Sequence, residues 1–114
     1  MDDVVLVYTT WPDAETAAAA GRAAVEARLA ACANILGAIT SIYRWEGAVE
    51  TAPEVAMILK TTAAAADALR ALVVERHPYD VPSLVALPVL AEGSNPAFLA
   101  WIGKEAPSPA GKGA

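Results

Sequence analysis

Only one cysteine and one histidine occur in the 114 residues. A single thiol excludes an intrachain disulfide framework, and the two residues together fall short of the Cys and His spacing of a zinc site. Positive charge is scarce too. Eight Lys and Arg stand against thirteen Asp and Glu, a formal net charge of −5, which argues against nucleic acid as a partner because phosphate binding needs a basic face. Anionic membrane surfaces are disfavoured on the same ground. No apolar run approaches the roughly 20 residues that span a bilayer, and Met1-Asp2-Asp3 lacks the basic start of a secretory signal. The expected setting is therefore soluble and reducing, with neither a membrane nor a nucleic acid as partner. Aromatic residues make up 6% of the chain and hydrophobic residues 56%, so much of the apolar content is alanine, which buries little area per residue. A chain this short is marginal with small apolar side chains, and association of copies is expected to help it; a GC-rich coding sequence is the plain alternative reason for the alanine.

What is present is patterned. Val4 to Thr9 is a continuous β-branched and aromatic run, read as a buried strand bounded by Trp11-Pro12-Asp13. Asp13 then suits an N-cap for a helix reaching about Ala31, with Val25, Leu29 and Cys32 on one stripe. From Ile35 to Trp45 the residues alternate, Ile39, Tyr43 and Trp45 sharing one parity; Gly37 suggests a bulge, and Glu46-Gly47 a turn into a return strand from Val49 to Lys60. Strands of about eleven residues exceed the usual five or six, so part of this hairpin is expected to project. Thr61-Thr62 can cap a second helix from Ala63 to Arg76, which His77-Pro78 stops. Ser83 to Leu90 reads as a further strand whose Pro88 belongs at an edge or bulge. Asn95-Pro96 is a strong start for a last short helix. The expected domain is 1–104, and residues 105–114, rich in proline, glycine and alanine, are expected to be a disordered tail. Deleting 106–114 should on this reading leave melting unchanged.

The order βαββαβ with an appended helix is the α+β, ferredoxin-like split βαβ pattern. Right-handed crossovers place the first two helices on one sheet face. The other face, expected to carry Ile39, Trp45, Met57 and Leu59, then needs a cover, which a second subunit supplies.

Five segments in order, Thr9-Thr10-Trp11-Pro12, Ala31-Cys32-Ala33-Asn34, Ser41-Ile42-Tyr43-Arg44-Trp45-Glu46-Gly47, Met57-Ile58-Leu59-Lys60-Thr61-Thr62 and His77-Pro78-Tyr79-Asp80-Val81-Pro82, resemble the CutA divalent-cation tolerance family over about residues 4 to 104. The resemblance implies a ferredoxin-like subunit in a homotrimer, similar in architecture to the PII signalling proteins. It also implies a cytoplasmic location and a role in tolerance of copper and other divalent cations, with no cofactor needed for folding. Some members carry cysteine where Thr9 stands and two histidines where this chain has Arg76-His77; Ser83 and Phe98 replace a common glutamate and tyrosine.

Three sets of residues carry candidate chemistry. Cys32 could offer a thiolate to Cu(I) or Zn, or be a small buried hydrophobe. His77 could offer an imidazole to Cu(II) or Zn(II), or be a helix C-terminal residue that satisfies the last carbonyls. Tyr43, Trp45, Glu46, Glu54, Lys60 and Tyr79 form a mixed aromatic and charged set that could line an intersubunit cleft. The same residues could equally be interface anchors and ordinary ion pairs. Nothing pairs a nucleophile with its base, and no Gly-rich phosphate loop occurs. The resemblance therefore implies a metal-tolerance trimer, expected to bind ions weakly and not to be an enzyme. The alternative is a PII-like trimer holding a small anionic metabolite near Tyr43, Glu54, Lys60 and Tyr79.

Overall fold

Eight residues from Val4 to Trp11 form the inner strand β1, in the structure, a computed structural model that describes residues 3–109. Around it are α1 (Ala14–Glu26), β2 (Cys32–Trp45), β3 (Ala48–Thr62), α2 (Ala63–Arg76), β4 (Leu84–Pro88) and α3 (Pro96–Glu105). The sheet order is β2-β3-β1-β4 with every neighbouring pair antiparallel. This is the expected ferredoxin-like α+β fold with a long β2–β3 hairpin and a C-terminal helix. The local signals act as read. The Asp13 carboxylate accepts from the Thr16 amide at 2.7 Å, the Thr62 hydroxyl from the Ala65 amide at 3.3 Å, and the Asn95 side chain from the Ala97 amide at 3.1 Å. Pro88 pairs with Val5 on the edge strand β4, where a missing amide hydrogen costs least.

Helix α1 stops earlier than its composition suggests. Arg28 takes φ 61° and the Leu29 amide donates back to the Ala24 carbonyl, which turns the chain before Ala31. Cys32 accordingly opens β2 opposite Lys60 and does not extend a helical stripe, and Val25 is exposed. The Arg28 guanidinium also donates to the carbonyl oxygens of Lys104 at 2.7 Å and Glu105 at 3.3 Å. A cation thus sits at the C-terminal end of α3, where unpaired carbonyls gather.

The assignment of faces along the hairpin differs from expectation in an instructive way. Ile35 pairs with Met57, but after the bulge Gly37 pairs with Ala56 and Ile39 with Glu54. The extra residue is inserted where Gly37 adopts φ 92°, a conformation that glycine tolerates. One inserted residue exchanges the two faces. Met57 and Leu59, both 0% exposed, therefore lie under the helices with Val7, Trp11, Leu69 and Val73. Ile39, Tyr43 and Trp45 remain on the opposite side with Glu50 and Glu54.

That second face is not wholly bare. Leu99, Ile102 and Ala106 pack with Val4 and Ala31, so α3 covers its Val4–Thr62 end. The ordered part also runs past residue 104. Ala106 is 0% exposed, and its carbonyl accepts from the Thr62 hydroxyl at 2.7 Å, so removal of 106 onward would take a buried contact with it. Residues 110–114 of the expected tail lie outside the described residues.

Helix α1 packs tightly on the sheet at Gly21, where an added Cβ would stand 3.0 Å from both the Ala33 Cβ and the Met57 Sδ. Overpacking of this kind commonly costs about 1–3 kcal/mol. Gly21→Val should lower the urea midpoint accordingly, and an unchanged midpoint would contradict the close packing described.

Candidate functional site

A two-residue turn decides which side chains meet above the second sheet face. Glu46 and Gly47 take φ 49° and 83°, both in the left-handed region, as the tightest hairpin turns require. Counting back from Trp45 opposite Ala48, Tyr43 falls opposite Glu50 and Ile39 opposite Glu54. Ile39, Tyr43, Trp45, Glu50 and Glu54, with Tyr8 and Thr10 of β1 and Tyr79, Asp80, Val81 and Ser83, line a cleft of about 670 Å³. Tyr43 and Tyr79 present phenols, Trp45 an indole, and Glu50, Glu54 and Asp80 carboxylates. Among the described residues that line it, none is Lys or Arg.

The wall formed by the segment after α2 is held from behind by His77. Its ring is 7% exposed and stacks on Trp11 with centroids 4.2 Å apart. Nε2 donates to the Thr10 carbonyl at 2.8 Å, and Nδ1 accepts from the Tyr79 amide at 3.2 Å. One tautomer, with the proton on Nε2, satisfies both bonds. Tyr79, placed by that amide bond, then donates from its hydroxyl to Glu54 Oε2 at 3.0 Å.

Of the residues singled out in the sequence, Tyr43, Trp45, Glu54 and Tyr79 come together in the cleft. Glu46 does not line it and sits in the turn at the hairpin tip. Lys60 lies six positions along β3 from Glu54, roughly 20 Å at the rise of an extended strand; its ammonium is over the Phe98 ring, 5.2 Å from the centroid. The anticipated Glu54 and Lys60 pairing is thus absent from the cleft. Cys32, half-buried, points its thiol at Asn34 Oδ1, 3.8 Å away. The His77 ring reaches across to the Thr10 carbonyl of β1, and only the backbone amide of His77 serves its own helix, donating to the Val74 carbonyl.

These contacts bear on metal binding. Both nitrogens of His77 are engaged, so its imidazole has no free lone pair for a metal in this fold, and Cys32 starts the strand opposite Lys60, four positions along β3 from the partner of Thr10. Among the described residues no three His, Cys, Asp or Glu side chains are grouped to hold a metal ion. The residues do not fit a soft-metal site built on His77 and Cys32.

Glu50 and Asp80 were not singled out in the sequence. Glu50 was within reach of it, since the Glu46-Gly47 turn alone implies Tyr43 opposite Glu50. Asp80 had no local signal; it joins the cleft through the His77 contacts. The cleft perturbs both phenols. Tyr79 is held above the ordinary tyrosine range first by its partial loss of water, then by its hydrogen bond to Glu54 and by that carboxylate's charge. Tyr43 is raised as well, again first by lost hydration and then by Glu50 and Glu54.

The model of the CutA1 divalent ion tolerance protein family matches residues 5–105. The chain is similar to the divalent-cation tolerance protein CutA of Thermus thermophilus, 47% identical over 102 residues that cover 90% of this chain and 95% of that protein. It is 43% identical to mouse protein CutA over 87% of its own length, but spans only 55% of that relative. Among solved structures, the periplasmic divalent cation tolerance protein CutA from Archaeoglobus fulgidus superposes with a TM-score of 0.86 at 35% identity, covering 91% of this chain and 99% of that one.

Because the fold holds both phenols protonated, the folded chain retains more protons than the unfolded one once pH rises past about 10. This contribution to stability is fully present below that pH and is lost as pH climbs through the raised values. Tyr79→Phe should therefore reduce the loss of urea stability as pH rises above about 10; an alkaline slope identical to the parent's would count against the raised Tyr79 phenol.

Proposed function

The chain belongs to the CutA1 divalent ion tolerance family, and on that premise we propose that it works as a cytoplasmic homotrimer in tolerance of divalent cations, copper among them, holding ions weakly rather than catalysing a reaction. The observation that carries this reading is the sheet face beyond the reach of α3. Trp45 there is 51% exposed, with Tyr43, Val85 and Leu87 also open. A face of this kind on a small alanine-rich chain is an association surface, and Tyr43 and Trp45 have the character of interface anchors. His77, with both ring nitrogens engaged, takes no part in that weak contact. The description of the Archaeoglobus fulgidus relative as periplasmic is a statement about that protein. No described helix is long and apolar enough to cross a membrane. The PII-like reading with an anionic metabolite draws no support from the cleft, whose lining lacks the Lys60 ammonium it called for.

Light scattering at low micromolar concentration should give three times the chain mass. Trp45→Ala should weaken the assembly by about 2 kcal/mol or more, while Cu(II) titration should show weak binding that Cys32→Ser leaves unchanged. A monomeric parent would overturn the assembly reading, and tight copper binding lost in Cys32→Ser would overturn the reading that ions are held weakly.

A further inference from the structure

We propose that the acidic cleft of one copy is completed by Lys60 of the partner subunit, so that the association face carries two charge-matched ends. The inference rests on the assembly reading above and names the contact that orients the copies. Strand pairing places both charges on one face. Lys60 stands in a row with Leu6 and Leu87, and Ile58 in the next row with Tyr8 and Val85. Ala56 opposite Thr10 follows, and then Glu54 opposite Ile39. Residues opposite one another share a face and every second residue returns to it, so along β3 this face runs from a basic end, over apolar rows, to an acidic end.

Neither end is neutralised within the chain. Glu50, Glu54 and Asp80 gather in the cleft with no Lys or Arg among the described residues that line it. Arg44 lies between Tyr43 and Trp45, so alternation turns it to the other side of the hairpin. Lys60 is roughly 20 Å away along the strand, beyond the reach of its side chain. Its ammonium rests on the Phe98 ring, 5.2 Å from the centroid, and a ring face attracts a cation without cancelling its charge. The described ion pairs, Arg28 with Glu105 and Arg70 with Asp67, involve none of these groups.

Association makes this imbalance costly, because charges that lose water against a partner disfavour the contact unless they are matched. Val85 and Leu87, 52% and 49% exposed, lie between the two ends and are the part of the face that gains from cover. Copies laid with like ends together would bury carboxylate beside carboxylate and ammonium beside ammonium, an arrangement that like-charge repulsion disfavours. Reversing one copy, or turning each about a shared axis so that its basic end meets the next copy's acidic end, matches both ends at once. The second arrangement closes into a ring. A copy of the same chain is the fitting occupant because one face supplies both complementary charges with the apolar rows between them, a dry centre with a polar rim. The Glu54 and Lys60 pairing that one chain cannot make is made between chains.

The test is carbodiimide treatment of the parent protein, which couples a carboxylate to an amine in direct contact, with loss of water and no spacer. Peptide mass analysis of the linked chains should join Lys60 to Glu54, Glu50 or Asp80, a link with Glu54 that the separation within one chain forbids. Lys60→Arg, which keeps the charge but offers no such amine, should retain the assembly mass by light scattering and lose that link. Charge reversal adds an energetic readout. Glu54→Lys and Lys60→Glu should each raise the dissociation constant of the assembly about tenfold or more. The double variant Glu54→Lys/Lys60→Glu should recover part of that loss, which two positions so far apart in one chain cannot do for each other through screened solvent. An assembled parent whose links omit Lys60, or run only from Lys104, would overturn the pairing and leave association standing. A folded double variant no tighter than the weaker single variant would overturn it as well. A monomeric parent would overturn the assembly reading and this contact with it.

Discussion

The imidazole of His77 is the joint on which the site depends. It stands at the end of α2, stacks on Trp11 at the end of β1, donates to a β1 carbonyl and accepts from the amide that begins the cleft wall. A buried polar ring is stable only when its hydrogen-bonding groups are matched, and here both nitrogens are matched by backbone. The ring is thereby tied to structure at every polar atom. Without it, Tyr79 would lose the contact that places its hydroxyl on Glu54, and the Thr10 carbonyl would lose its partner, which at a buried site carries a penalty of about 1–3 kcal/mol.

Two backbone features then determine the chemistry in front of that joint. The tight turn at Glu46-Gly47 sets the hairpin register, and the bulge at Gly37 changes which parity of β2 faces the cleft. Together they gather phenols, an indole and carboxylates on one side and leave Lys60 at the far end of β3 under Phe98. The sign of the local field follows from this placement rather than from the overall acidic composition. With β3 held by β1, a β2 register one residue different would have turned Tyr43 and Trp45 toward the helices and left no aromatic wall beside Glu50 and Glu54.

Most elements were legible because their signals are local. Asp13, Thr62 and Asn95 cap the helices that follow them, α2 spans Ala63–Arg76 as its pattern implies, and Pro88 lies on an edge. The end of α1 was not legible, since Arg28 is an ordinary helix former whose left-handed turn is supported by bonds to α3, more than seventy residues away. The faces of β3 are not legible from alternation, because the residue inserted at Gly37 exchanges the faces of β2 relative to Met57 and Leu59. Of the candidate site residues, Tyr43, Trp45, Glu54 and Tyr79 share a cleft by virtue of pairing and a loop contact. Lys60 had seemed a companion only through proximity in sequence to the same hairpin. The partner of His77 lies 67 residues earlier in the chain, and no periodicity or motif encodes such a contact.

His77 is a structural joint rather than a metal ligand, and nitrogen-15 NMR of the imidazole in the folded chain, recorded with and without Zn(II), tests this directly. A protonated Nε2 and an unprotonated Nδ1, both unmoved as Zn(II) is added, are the predicted signals. Stoichiometric movement of either ring nitrogen on adding Zn(II), with the chain still folded, would contradict it.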